Sequence, residues 1–186
     1  MTDQPIPTRR HFFLGLAATA AVAATAAAIP SALAARRPLG LRSLAVKNLH
    51  TGEHLNTVYW ADCKYVPEAM RRIDWVLRDH HTDEVCRIRP ELLDVLTTLQ
   101  AKLRTREPFE IVSGYRSPAT NTMLASMTDG VAQNSLHMQG MAVDIRVPDR
   151  SLVKVQHAAL SLAAGGVGFY PRSDFVHVDV GRVRQW

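Results

Sequence analysis

Cysteine is scarce in this chain, with only Cys63 and Cys86 among 186 residues. Neither belongs to a Cys-x-x-Cys pair or a Cys/His metal pattern, so no site of either kind has support in the sequence. Blocks of like charge are also lacking. The formal net charge is +5, from 22 Lys and Arg against 17 Asp and Glu, and the excess is spread along the chain. That pattern argues against a nucleic-acid partner, while mild basicity suits an anionic envelope polymer. No internal repeat is present, and no low-complexity segment outside the N-terminal stretch.

One long uncharged run exists, alanine-rich, from Phe12 to Ala35. It follows the twin-arginine pattern Thr8-Arg9-Arg10-His11-Phe12-Phe13-Leu14, and Ala32-Leu33-Ala34 is a small-x-small cleavage site after the turn-forming Ile29-Pro30. The expectation is a Tat export signal over 1–34, handled by the Tat translocase and delivering the protein to the periplasm. An uncleaved signal would leave it membrane-tethered, but alanine contributes little transfer energy. The Tat route carries folded proteins, so folding cannot depend on a bridge formed after export. An oxidising compartment nevertheless permits a disulfide between Cys63 and Cys86.

After the signal, 35–43 reads as a basic linker and 44–186 as one domain, a length that suits a single core; a monomer is the expected state. Leu44–Leu49 and Leu55–Ala61 are strand-like runs joined by a His50-Thr51-Gly52-Glu53 turn. Pro67 opens a helix to about Asp79, with Met70, Ile73 and Val76 or Leu77 on one face. Pro90 opens a second, to about Thr105, with a Leu92, Leu96, Leu99, Leu103 stripe. Phe109–Ser113 is a short strand, Ser117-Pro118 caps a third helix to about Met127, and Asp129-Gly130 is a turn. Ala142–Val147 reads as a strand, Ser151–Ala164 as a helix, and Val167–Tyr170 and Phe175–Val180 as closing strands. The fold class is α+β, a small single domain with an antiparallel sheet and helices mainly on one side.

The chemistry is concentrated in Ser135-Leu136-His137-Met138-Gln139-Gly140-Met141-Ala142-Val143-Asp144 and Asp174-Phe175-Val176-His177. Two imidazoles and one carboxylate, His137, His177 and Asp144, make a three-ligand zinc set with a fourth position open for water. The same set also accommodates iron or manganese. Asp144 lies in an apolar strand, where a carboxylate is costly unless ligated or paired, and Arg146 on the same face is the rival partner. His177, Phe175 and Asp179 share one strand face, while Val176, Val178 and Val180 take the other. Asp179 can orient His177 or pair with Arg182 or Arg184. Asp174 is either a solvated loop carboxylate or the general base, with Asp179 its rival. Arg116, after a strand and Gly114, is either a surface turn residue or a guanidinium that holds a substrate carboxylate or an oxyanion. Asn121, Ser135 and Tyr170 complete the candidates, as substrate contacts or supports of the ligands.

Ser-x-His-x-x-Gly-x-Ala-x-Asp followed by Asp-x-x-His resembles the signature of the M15 zinc peptidases, D-Ala-D-Ala carboxypeptidases and murein endopeptidases. Ser113-Gly-Tyr-Arg-Ser-Pro-Ala-Thr-Asn121, Gly165-Gly-Val-Gly-Phe-Tyr-Pro171 and Ser173-Asp-Phe-Val-His-Val-Asp179 resemble its Tat-exported branch, which includes murein endopeptidase K. The likeness runs from about residue 44 to the end. It implies one zinc per chain on His137, Asp144 and His177, Asp174 as base and Arg116 as transition-state clamp. It also implies peptide stems or cross-links of peptidoglycan as substrates. Related enzymes often carry Glu-x-x-His or His-x-His at the last ligand, where this chain has Asp174 and Phe175. Cys63 and Cys86 lie outside the family pattern. The motifs do not separate an endopeptidase from a D,D- or L,D-carboxypeptidase, and a zinc-containing cell-wall peptide-binding module has the same ligands.

Overall fold

The computed structural model describes residues 40–127 and 131–186. The signal, most of the linker and the Asp129-Gly130 turn lie outside the described residues. Among the described residues, eight strands form one sheet, β1 (Arg42–Asn48), β2 (His54–Ala61), β3 (Lys64–Tyr65), β4 (Phe109–Ser113), β5 (Ala142–Arg146), β6 (Gly166–Tyr170), β7 (Phe175–Asp179) and β8 (Arg184–Gln185). Four helices accompany them, α1 (Pro67–Val76), α2 (Pro90–Leu103), α3 (Pro118–Met127) and α4 (Leu152–Leu160). The order across the sheet is β3-β2-β1-β4-β5-β7-β6-β8.

The sheet is mixed, which corrects the antiparallel expectation. β1 pairs with β4 in parallel, and β6 with β8. The first follows from chain connectivity. After the β1–β2 hairpin the chain passes through α1 and α2 before β4, and a crossover of that length lets a strand return in the same direction. β3 and β8 are two-residue strands too short to show a sequence period.

One face of the sheet makes the core. Leu44 and Val46 of β1, Phe109 and Ile111 of β4, Val143 and Ile145 of β5, and Val176 and Val178 of β7 are all buried there. Against them pack Ala69, Ile73 and Val76 of α1, the leucines of α2, and Val155 and Ala159 of α4. The α2 stripe appears as expected, with Leu93 added. Met70 is only partly buried, and Leu77 takes its place at the end of α1. α3 contributes nothing to this core; its buried residues are Thr120 and Asn121. Ser117 caps α3 as expected, its Oγ accepting the Thr120 N–H at 3.2 Å. α4 is shorter than its periodicity suggested, because the chain turns through Ala163 at φ +49° to enter β6.

Both thiols are free, so the candidate disulfide is not formed. Cys63 sits in the exposed turn between β2 and β3, and Cys86 on the connection from α1 to α2. No helix among the described residues is long and apolar enough to cross a membrane.

Candidate metal centre

The opposite face of β5 and β7 carries the polar residues. Period-two alternation puts Asp144 against His177 in the antiparallel β5–β7 register, with Ser113 of β4 beside Asp144. His137 arrives from a one-turn 3-10 helix, Leu136–Gln139, just before β5. Ser135 caps that turn, its Oγ accepting the His137 N–H at 3.3 Å. Gly140 ends it at φ +64°, and a Cβ there would lie 2.4 Å from the Arg87 carbonyl oxygen, so only glycine fits. Thus the spacing between His137 and Asp144 encodes a cap, a turn and a strand start.

The tautomers follow from the partners. His137 Nδ1 is 2.7 Å from the Gly114 carbonyl, which can only accept, so Nδ1 carries the hydrogen and Nε2 the free lone pair. His177 Nε2 donates to Asp179 Oδ2 at 3.1 Å, which turns Nδ1 inward. His137 Nε2, His177 Nδ1 and Asp144 Oδ1 then converge at 3.1, 2.9 and 3.3 Å from one another, all buried. Three ligand atoms this close form a set that can hold a metal ion. Donors of a tetrahedral zinc at 2.0–2.1 Å stand roughly 3.3 Å apart, so the set fits the ion. Burial pushes the Asp144 carboxyl up, but the two imidazoles outweigh it and hold it well below the usual carboxylate range. Burial pulls His177 down, but Asp144 and Asp179 outweigh that and raise it.

This trio floors a cavity of about 650 Å³. Arg116, Ser135 and Tyr170 line it, together with Phe175, Arg184 and Trp186. Arg116 reaches Asn121 Oδ1 at 3.4 Å, Ser113 Oγ at 3.5 Å and Asp144 Oδ2 at 3.8 Å, contacts loose enough to yield to a ligand. Asn121 also holds the carbonyls of Ala132 and Gln133, so its amide braces the rim. Tyr170 stacks on Phe175 at 4.6 Å and accepts a hydrogen bond from Trp186 Nε1 at 2.7 Å.

A family model described as Peptidoglycan L,D-endopeptidase MepK (Peptidase_M15_2) matches residues 36–186. The chain belongs to this family. It is 40% identical over 175 residues to the peptidoglycan L,D-endopeptidase MepK of Escherichia coli (strain K12), covering 92% of this chain and 94% of that protein. It is 39% identical over 146 residues to the probable peptidoglycan L,D-endopeptidase MepK of Haemophilus influenzae, covering 78% of each. The α+β domain of this M15 member therefore spans nearly the whole described chain.

Two carboxylates behave differently from each other. Asp179 is fully buried behind His177. Asp174 sits at φ +55° in the turn before β7, with its side chain 64% exposed, and pairs with Arg146 Nη1 at 2.6 Å. It does not line the cavity, although its neighbours Ser173 and Phe175 do. Arg146, a rival partner for Asp144 by sequence, is engaged instead with Asp174 and, at 3.7 Å, Glu110.

Sequence reasoning missed Asp79, whose place beyond α1 carries no motif. It is buried and accepts the Ser117 N–H at 2.8 Å and the His81 N–H at 2.9 Å, anchoring the segment that carries Arg116. Burial pushes this carboxyl up, but bonds from Thr120, Ser117 and His81 outweigh it and bring it down to about 2 from 3.8. The unfolded chain binds the proton first, so this stabilisation is complete above about pH 4 and is lost as pH falls toward 2. Asp79→Asn should cost about 1–2 kcal/mol at pH 7 and flatten the acid limb between pH 4 and 2, read by thermal unfolding across pH.

Proposed function

We propose that this chain is a zinc-dependent murein endopeptidase that cuts peptide cross-links of peptidoglycan in cell-wall remodelling. Its twin-arginine segment supports export by the Tat pathway to the periplasm, where peptide stems are its partner and substrate. The observation that carries the reading is the convergence of His137 Nε2, His177 Nδ1 and Asp144 Oδ1 on the floor of the cleft. Membership of a family whose relatives are named peptidoglycan L,D-endopeptidases agrees with it.

His137, Asp144 and His177 would hold the ion. Zinc bound there supplies a Lewis acid and an acidified water, with a pKa brought toward about 7. Asp174 accepts a proton from the attacking water and returns it to the leaving amine. To do so its side chain leaves Arg146, and an exposed pair of this kind is worth only about 0–1 kcal/mol. Arg116 turns its guanidinium to the developing oxyanion or to a substrate carboxylate. Asp179 has no free face toward the cleft and serves to orient His177.

The test is a digest of purified peptidoglycan with and without chelator, products read by mass. Loss of cross-linked dimers with gain of monomers, blocked by chelator and restored by zinc, is the expected result. Loss of a terminal D-Ala alone would make the enzyme a carboxypeptidase. An unchanged digest from protein holding one zinc would leave a peptide-binding module.

A further inference from the structure

We propose that Arg184 is a positioning residue for the metal centre, holding Asp179 so that the His177 ring presents Nδ1 to the other two donors. The inference rests on the zinc reading above and assigns a role to a residue outside every ligand motif.

The Asp179 side chain is 0% exposed. Its Oδ1 accepts the Gly166 N–H at 2.9 Å, the Gly181 N–H at 2.8 Å and Arg184 Nη1 at 3.2 Å. Its Oδ2 accepts Arg184 Nη2 at 2.7 Å and His177 Nε2 at 3.1 Å. A carboxylate with no solvent contact needs a fixed cation, and among the described residues Arg184 is the only Arg or Lys paired with it. The guanidinium meets both oxygens in the two-pronged geometry that fixes carboxylate orientation as well as charge. Oδ2 is thereby shared between Arg184 and the imidazole. A half-turn of the ring would break that bond and remove Nδ1 from Asp144.

The backbone leaves room for this arrangement. Arg184 of β8 lies in register with Gly166 of β6. A Cβ on Gly166 would stand 2.4 Å from both Arg184 Nη1 and Asp179 Oδ2. Arg184 is held further by the Arg182 carbonyl at 3.0 Å and lies over the Trp186 ring at 4.8 Å. The short strand β8 therefore has a purpose beyond edge pairing, since it delivers the cation that sets the ring.

Arg184 also lines the cleft, so the competing role is direct binding of a substrate carboxylate. Zinc affinity separates the two. The full chain, Arg184→Met and Arg184→Lys would be titrated with zinc against a chromophoric chelator, with circular dichroism as the fold control and KM measured at saturating zinc. Arg184→Met should weaken zinc binding on the order of ten- to hundredfold. Arg184→Lys should recover part of the loss, since the charge remains without the fork. In an Asp179→Asn background, Arg184→Met should add less than about twofold, because both act through one contact. Folded variants with wild-type zinc affinity overturn the proposal, and a raised KM alone would assign Arg184 to substrate. If Arg184→Met does not fold, Arg184→Lys and the Asp179→Asn pair carry the same comparison. A wild-type chain that binds no zinc overturns the metal reading itself, which is a different outcome from unaffected variants.

Discussion

Asp144→Ala should yield a folded protein that no longer retains zinc through dialysis and cuts cross-linked muropeptides roughly 10³-fold more slowly, the consequence of losing several kcal/mol of metal-derived stabilisation. Asp144 supplies the one carboxylate of the donor set, and it stands 2.9 Å from His177 and 3.3 Å from His137. Without it two neutral imidazoles remain, a weaker site with no charge to balance a divalent ion. The core face of β5 is untouched, because Val143 and Ile145 point the other way. Metal analysis after dialysis and the muropeptide rate read the two effects separately. One zinc per chain with wild-type turnover would remove Asp144 from the metal centre.

Asp174→Ala should lower kcat by about 10²–10⁴, the usual contribution of a general base, while zinc content stays at the wild-type level. The side chain is exposed and its ion-pair partner is Arg146, so little packing is lost. Arg146→Gln is the companion variant. It frees Asp174 without altering the donor set, and its kcat should stay within a few-fold of wild type. A wild-type kcat in Asp174→Ala would make the loop carboxylate a surface partner of Arg146 and place the base elsewhere. Asp179 would not be its replacement, since its oxygens already accept the N–H groups of Gly166 and Gly181, the Arg184 guanidinium and the His177 ring.

The two carboxylates show what a single sequence can and cannot specify. The alternation around His177 placed Asp179 on the same face, and the two do meet. Its other partner stood open between Arg182 and Arg184, and the structure brings both His177 and Arg184 to the same oxygen. Asp174 lies three residues before His177, yet the left-handed turn at φ +55° aims it at Arg146 instead of the cleft. Spacing gives proximity along the chain, but side-chain direction depends on backbone dihedrals that neighbouring segments impose.

Local signals accounted for the helices, the hairpin and most strands. Pro67 and Pro90 start their helices, the α2 leucines fall on one face, and Gly140 ends the turn before β5. Each depends on residues within one or two turns of one another. The sequence by itself therefore determined the element order, the core stripe and the short-range link of His137 to Asp144. Only the tertiary structure decided which strands run parallel, that Cys63 and Cys86 are free thiols, that the Gly114 carbonyl and Asp79 brace the site, and that β8 delivers Arg184. Most of these contacts join segments distant in the sequence, where register and packing of the whole sheet, not local periodicity, set the partners.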